Sequence, residues 1–369
     1  MRTRNLTFSV SGLLAATLVA GCGGGVPGSS NSDAGEVYGR LKGLARTEQR
    51  ARAEELAGEE GKTLSLYTSM TADIATPTAE AFEKKYGIRV SVFRGNSETV
   101  LQRTLQEQEA GRPGADVVET NFAEMVILAG KGHLADYNGS GLDKVEAAGK
   151  FDHWTATRFN VFQPAWNTTK IKPGDEPTSW EDLALPKYRG KITVEVSDSD
   201  WFENVTKYWL EHGKSQAEVD SLWKAIAANS KVAKGHTTMM QFLTAGQTSM
   251  EAMNYTYITS RAAEDGAPVT HLPASGVSTI PAFARPNGVG MIKGAQHPAA
   301  AWLFCDWLLT DGQKTLVDLG LTPSTKVPGD NSVAGLTLVP FDVEGLSKDD
   351  SVWDKKYDAL LRGADTVGR

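Results

Sequence analysis

Two phenols set two residues apart, Tyr255 and Tyr257 in the run Asn254-Tyr-Thr-Tyr257, are the strongest chemical signal in this sequence. If Glu251 to Ile258 is a strand, that spacing turns both rings to one face. A phenol donates a hydrogen bond to an anionic oxygen. As phenolate it binds a hard, highly charged cation able to overcome its ordinary pKa of about 10. Short polar side chains also recur where extended segments give way to helices: Thr68 and Ser69, Asn96 and Ser97, Asn121, and Ser199-Asp200-Trp201. Such hydroxyls and amides either cap the following helix or face a ligand, and one group can do both. Trp201 reads as core packing more readily than as a cleft wall, and both readings are carried. Arg158 offers a charge to the same region or a partner to an interlobe ion pair. None of the six histidines falls at a strand end, and there is no His-Glu-x-x-His, Gly-x-Ser-x-Gly or Walker loop. The pattern is one of binding without catalysis, so no catalytic residue, resident metal or cofactor is expected.

The elements that must position these residues follow an α/β rhythm. Thr63–Tyr67, Arg89–Phe93 and Asp116–Thr120 alternate as strands, with helices expected over 77–86, 98–109 and 122–129. Asn121 stands at the N-cap of the last, with Glu124 three residues on and Gly130 beyond the end. Strand–helix–strand spacing of this kind predicts a mainly parallel sheet with right-handed crossovers. In such sheets ligands sit outside the carboxyl ends of the strands, where the short polar residues lie. Arg158–Trp166 is expected to be extended. Lys191–Val196 reads as a further strand, followed by helices over 201–212 and 216–229. Extended chain returns over 269–280 and leads through Pro281 to Ile292. Pro298 opens an apolar helix containing Trp302, Cys305 and Trp307.

The ends and the totals set the compartment. With 369 residues, 40% hydrophobic and 22% charged, the chain suits two soluble lobes. A net charge of −7 excludes a global basic field for nucleic acid. Arg2 and Arg4, an apolar core over 13–20 and Val-Ala-Gly before Cys22 form a secretion signal resembling the bacterial lipobox, in which the cysteine is acylated. The apolar core is shorter than the roughly 20 residues needed to span a bilayer. A Gly- and Ser-rich tether follows Cys22, and then a charged, exposed helix over 36–60. Only two cysteines exist, so acylation of Cys22 leaves Cys305 as a free thiol in an apolar helix.

Several ordered segments then carry a family resemblance. Glu60-Gly-Lys-Thr-Leu-Ser-Leu-Tyr-Thr-Ser69, Phe82-Glu-Lys-Lys-Tyr-Gly-Ile-Arg-Val90 and Ala115-Asp-Val-Val118 resemble the opening strands and helix of the extracellular solute-binding proteins of ABC importers. The nearest branch is that of the ferric-iron-binding proteins. Pro177-Thr-Ser-Trp-Glu-Asp-Leu183, Pro186-Lys-Tyr-Arg-Gly-Lys191, His297-Pro-Ala-Ala-Ala-Trp302 and Leu321-Thr-Pro-Ser324 resemble its later motifs. The resemblance implies an α/β, two-lobed periplasmic-binding-protein-like fold with crossing hinge strands and a ligand cleft between the lobes. The division expected is residues 1–21 as signal peptide and 22–60 as acylated Cys, tether and helix. Residues 61–160 with about 270–310 form the first lobe, 161–269 the second, and 311–369 a C-terminal helical segment packed on both. The implied partners are a membrane permease and a small solute, with the protein a monomer lipid-anchored outside the membrane. The ferric branch uses neighbouring tyrosines, but here Thr256 separates the pair and Thr68-Ser-Met-Thr-Ala72 stands where a first-lobe His or Tyr belongs. A small oxyanion or a phosphorylated or carboxylated organic ligand is therefore expected ahead of Fe³⁺, which remains possible only as cargo. Thr68, Ser69, Asn96, Ser97, Asn121, Trp201, Tyr255 and Tyr257 are the candidate contacts.

Overall fold

The computed structural model describes residues 34–362 and 364–367, apart from the side chains of 344–350. The signal peptide, Cys22 and the glycine tether expected from the sequence lie outside the described residues. The chain enters through two helices, α1 (Ala34–Lys42) and α2 (Arg46–Glu59). These differ from the exposed charged helix expected. Val37, Tyr38 and Leu41 on α1, and Ala53, Leu56 and Ala57 on α2, are buried. A stripe at helical spacing sits within the charged run, and most of it packs on α11 (Pro298–Leu308). The Tyr38 hydroxyl donates to the Ile292 carbonyl at 3.0 Å, and both Glu60 carboxylate oxygens accept from the first turn of α11, from Ala299 N at 2.8 Å and Ala300 N at 3.1 Å. A carboxylate at a helix N-terminus meets the positive end of the dipole.

Three strand–helix pairs follow: β1 (Thr63–Thr68) with α3 (Ala72–Tyr86), β2 (Arg89–Arg94) with α4 (Ser97–Glu109), and β3 (Val117–Asn121) with α5 (Phe122–Gly130). Short β4 (Leu134–Ala135), α6 (Gly141–Lys144) and β5 (Lys150–Phe151) lead to the long β6 (Trp154–Asn167). The next half contains β7 (Ile192–Glu195), α7 (Ser199–Glu211), α8 (Gln216–Asn229) and β8 (Ser230–Ala233). It is completed by α9 (His236–Thr244), β9 (Met250–Tyr255) and α10 (Thr256–Glu264). After β10 (Val269–Thr270) the chain returns along the long β11 (Ala282–Ile292). It then forms α11, α12 (Gly312–Asp318), β12 (Thr322–Pro323), β13 (Leu338–Pro340) and α13 (Val343–Leu361).

The main strands lie in the order β2-β1-β3-β11-β6-β9-β7-β8. β1 runs parallel to β2 and β3, and β7 parallel to β8 and β9. Between these parallel groups β11 is antiparallel to β3 and β6, and β6 antiparallel to β9. Two parallel half-sheets are thus joined by a pair of antiparallel strands, the arrangement expected of two lobes on a hinge. The second crossing strand begins at Ala282, beyond the 269–280 segment in which extension was expected. Pro273 and Gly276 turn that segment, with Gly276 N donating to Pro273 O at 2.9 Å and Gly276 at φ 74°. The C-terminal segment is also less purely helical than expected, since β12 pairs with β6 and β13 with β11.

A candidate ligand cleft at six helix starts

The half-sheets meet at a cleft of about 920 Å³. Six helices begin on it, α3, α4 and α5 from the first half and α7, α9 and α10 from the second. The residues just before them, Thr71, Asn96, Asn121, Asp198, Gly235 and Tyr255, all line the wall. Only Asn96 turns its side chain to its own helix, accepting from Thr99 N at 2.8 Å. The other five helices start without a side-chain cap. Asn121 instead accepts from Asn287 Nδ2 at 2.7 Å. First-turn N–H groups left this way make ready anion sites, each worth about 0.3–1 kcal/mol to a facing negative charge, although in α7 Trp201 N already donates to the Asp200 carboxylate at 2.7 Å.

The charged lining is uneven. Asp73, Glu98, Glu124, Glu195, Asp198, Asp200, Asp354 and Asp358 outnumber Arg94, Arg158, Lys234 and Arg285. Several are already engaged. Asp73 pairs with Arg261 at 2.6 Å, and the buried Arg158 donates to Glu119 on β3, which also accepts from Thr68 at 2.7 Å. On the second wall Arg285 donates to Asp200 at 2.8 Å, to Asp198 at 3.2 Å and to the Tyr255 hydroxyl. His236 sits 2.9 Å from Asp198 and lies against the Tyr255 ring, 3.8 Å between centroids. Burial opposes ionisation of Asp198, but His236 and Arg285 outweigh it and hold that carboxyl below the usual carboxylate range. Burial and the neighbouring Asp198 push Glu195 up, and burial pushes Asp200 up against the pull of Arg285. Burial likewise raises both phenols, Tyr255 and Tyr257, which therefore stand as neutral hydroxyls. Among the described residues, no three His, Cys, Asp or Glu side chains are placed to hold a metal ion.

A family model described as bacterial extracellular solute-binding protein matches residues 78–331. The chain belongs to the bacterial extracellular solute-binding proteins. It is 25% identical over 272 residues to an Fe(3+)-binding periplasmic protein of Serratia marcescens, a match covering 72% of this chain and 78% of the relative. Its fold matches the periplasmic binding protein AfuA of Actinobacillus pleuropneumoniae, solved with exogenous fructose-6-phosphate bound. That match has a TM-score of 0.68 at 22% identity and covers 82% of this chain and all of that one. Iron-bound HitA of Pseudomonas aeruginosa gives a TM-score of 0.65 at 22% identity, covering 80% and 99%. The resemblance and two-lobed fold expected from the sequence are both met. The matched family is one of binding proteins serving transport.

In this solute-binding protein Ser69, Asn96, Ser97, Asn121, Tyr255 and Tyr257 come together on the cleft. Thr68 does not reach it: its hydroxyl is buried under β1, bonded to Glu119 and Met70 N. Trp201 is also absent from the wall and packs edge-on against Trp180 and Trp223, at 5.6 and 5.2 Å. The two tyrosines share the cleft for a different reason from the one expected. β9 ends at Tyr255 and α10 begins at Thr256, so the strand spacing does not apply. The rings nevertheless stack, 5.9 Å apart and 12° from parallel. Arg158 pairs with Glu119 of the first half rather than across the lobes, and it lines the cleft as well. Sequence reasoning missed Asp198, His236 and Arg285. Lys234-Gly-His236 directly after the strand Ser230–Ala233 was the available signal, overlooked because β8 had not been read as a strand.

Proposed function

We propose that this protein captures a phosphorylated, hydroxyl-bearing small molecule and delivers it to an ABC-type permease, held outside the membrane by acyl chains on Cys22. The carrying observation is the chemical contrast within one cleft: uncapped helix starts beside an excess of carboxylates. A bare oxyanion offers the carboxylates no donor and meets repulsion from them. A ligand with one anionic group and several hydroxyls serves both, its phosphate on the helix N-termini and its hydroxyls donating to Glu195, Asp198 or Asp200. The structural neighbour AfuA, solved with exogenous fructose-6-phosphate bound, supports the same class. Binding is by hinge closure, with no chemical change to the ligand, so mixing ligand with protein and recovering it intact tests the binding-only reading.

A second reading, Fe³⁺ capture, is favoured by the stacked Tyr255–Tyr257 pair and by the Serratia relative. Against it, the Tyr255 hydroxyl already accepts from Arg285, whose fixed positive charge opposes a trivalent cation at that oxygen. Calorimetry of the unliganded protein with fructose 6-phosphate, inorganic phosphate, free fructose and ferric citrate separates the readings. Tight binding of the phosphorylated sugar alone is expected. A visible charge-transfer band with ferric citrate, and no heat from any phosphate ester, would reverse the assignment. Cys22→Ser is expected to move the protein from the membrane fraction to the soluble one, since stable attachment takes about two acyl chains. Equal retention of the variant would remove the anchor.

A further inference from the structure

The floor of the cleft is formed by the two hinge strands, and four of its side chains stand in a checkerboard. On β6, Arg158 and Asn160 are two residues apart; on β11, Asn287 faces Arg158 and Arg285 faces Asn160. Residues i and i+2 of a strand share a face, and cross-strand partners lie within about 4.5–5.5 Å at Cβ. All four line the cleft and are at least nine-tenths buried. Each carries one buried polar atom without a protein partner: Nε of Arg158, Oδ1 of Asn160, Nε of Arg285 and Oδ1 of Asn287. The register slips just beyond Asn287, between it and Gly288, a bulge of the kind that re-aims side chains beside functional sites.

We propose that this quartet is a hydroxyl-reading subsite, which takes adjacent hydroxyls of the ligand's carbon chain. The proposal rests on the phosphorylated-ligand reading above and adds which part of the ligand the hinge strands recognise. A hydroxyl both donates and accepts, so one hydroxyl donates to an asparagine Oδ1 while accepting from the arginine Nε opposite it. Two such donor–acceptor pairs, Asn160 with Arg285 and Asn287 with Arg158, stand side by side and suit a vicinal diol. A phosphate oxygen accepts only and leaves both asparagine oxygens unpaired, while a bound cation leaves both Nε–H groups unpaired. Unpaired buried groups discriminate strongly against the wrong ligand.

The test compares glucose 6-phosphate with ethyl phosphate, which keeps the anionic group and has no hydroxyl. Both are titrated into the full chain and into Asn160→Leu and Asn160→Asp. Leucine keeps the volume and removes the acceptor; aspartate keeps an acceptor oxygen. Asn160→Leu is expected to weaken glucose 6-phosphate about threefold to tenfold while leaving ethyl phosphate unchanged, from the loss of one neutral hydrogen bond. Asn160→Asp is expected to retain the wild-type preference for the hydroxylated ligand. Equal weakening of both ligands by leucine, or no weakening of either, overturns the subsite while the phosphate reading stands. If the wild type binds neither phosphate ester, that reading fails and the subsite falls with it.

Discussion

Glu251 lies on β9 with none of its surface exposed, and among the described residues the one hydrogen-bond partner of its carboxyl is Asn254 Nδ2 at 2.7 Å. Burial pushes its pKa up to about 8, against a relieving pull from Asn254. It is therefore protonated in the folded protein at neutral pH and ionised in the unfolded chain. For a carboxyl raised on folding, the stability it contributes is complete below its unfolded pKa of about 4.5. That stability is lost as pH climbs toward the folded value, at about 1.4 kcal/mol per pH unit. From about pH 5 to about pH 7 the loss is about 3 kcal/mol. Glu251→Gln keeps the acceptor for Asn254 and cannot ionise. The variant is expected to gain on the wild type by about 3 kcal/mol over that interval, read as urea midpoints on unliganded protein at several pH values. Other raised carboxyls are common to both proteins and cancel in the difference. A wild-type-minus-variant difference that is flat with pH would refute the reasoning, because it would mean that the folded protein accommodates the ionised carboxylate.

The remaining predictions concern the hinge and the cleft wall. A Cβ on Gly288 would lie 2.1 Å from Trp154 Cε3, and that ring is stacked on Phe151 at 4.0 Å, so Gly288→Ala is expected to cost about 1–3 kcal/mol or more in urea; a wild-type midpoint would show that Trp154 moves freely. Tyr255→Phe removes the acceptor of Arg285 while keeping the stacked ring, and is expected to weaken hexose-phosphate binding by about 0.5–1.5 kcal/mol in calorimetry. Binding equal to wild type would place that hydroxyl outside the ligand shell. Small-angle scattering is expected to give a smaller radius of gyration with saturating hexose phosphate than without. Superimposable curves would count against closure on the ligand.

Much of the fold was legible because its signals are local. Alternation marked β1, β2 and β3, Pro298 marked the start of α11, and motif order across the chain carried the family. The cleft lining was legible chiefly in its first wall, where strand-end residues follow directly from the βα rhythm, and on the second wall in Ser199, Asp200, Tyr255 and Tyr257. Ser69, Asn96, Ser97 and Asn121 were found from that rhythm. Thr68 was named beside them, and lies off the cleft, because the same reasoning cannot tell the last inward-facing strand residue from the first loop residue. Trp201 takes the core-packing place that was its other reading, because aromatic clustering with Trp180 and Trp223 is a tertiary fact. The second wall depends on pairings distant in sequence, such as Arg285 with Asp198 and Asp200, and Asn287 with Arg158. No local pattern announces those.

These distant pairings also indicate where a lobe rotation must be absorbed. Arg158 on β6 is tied to Glu119 at the end of β3, in the first half-sheet. Arg285 on β11 is tied to Asp198 and Asp200 at the start of α7, in the second. Breaking either buried pair on one side would cost about 3–5 kcal/mol, so each guanidinium moves with the half it binds. Yet Arg158 and Arg285 belong to one ribbon, two register steps apart. Rotation that preserves both ion pairs must twist the ribbon between them, beside the bulge at Asn287. Any ligand group held by the four floor residues would span the twisting segment itself, and would favour the twist at which all four polar atoms are met.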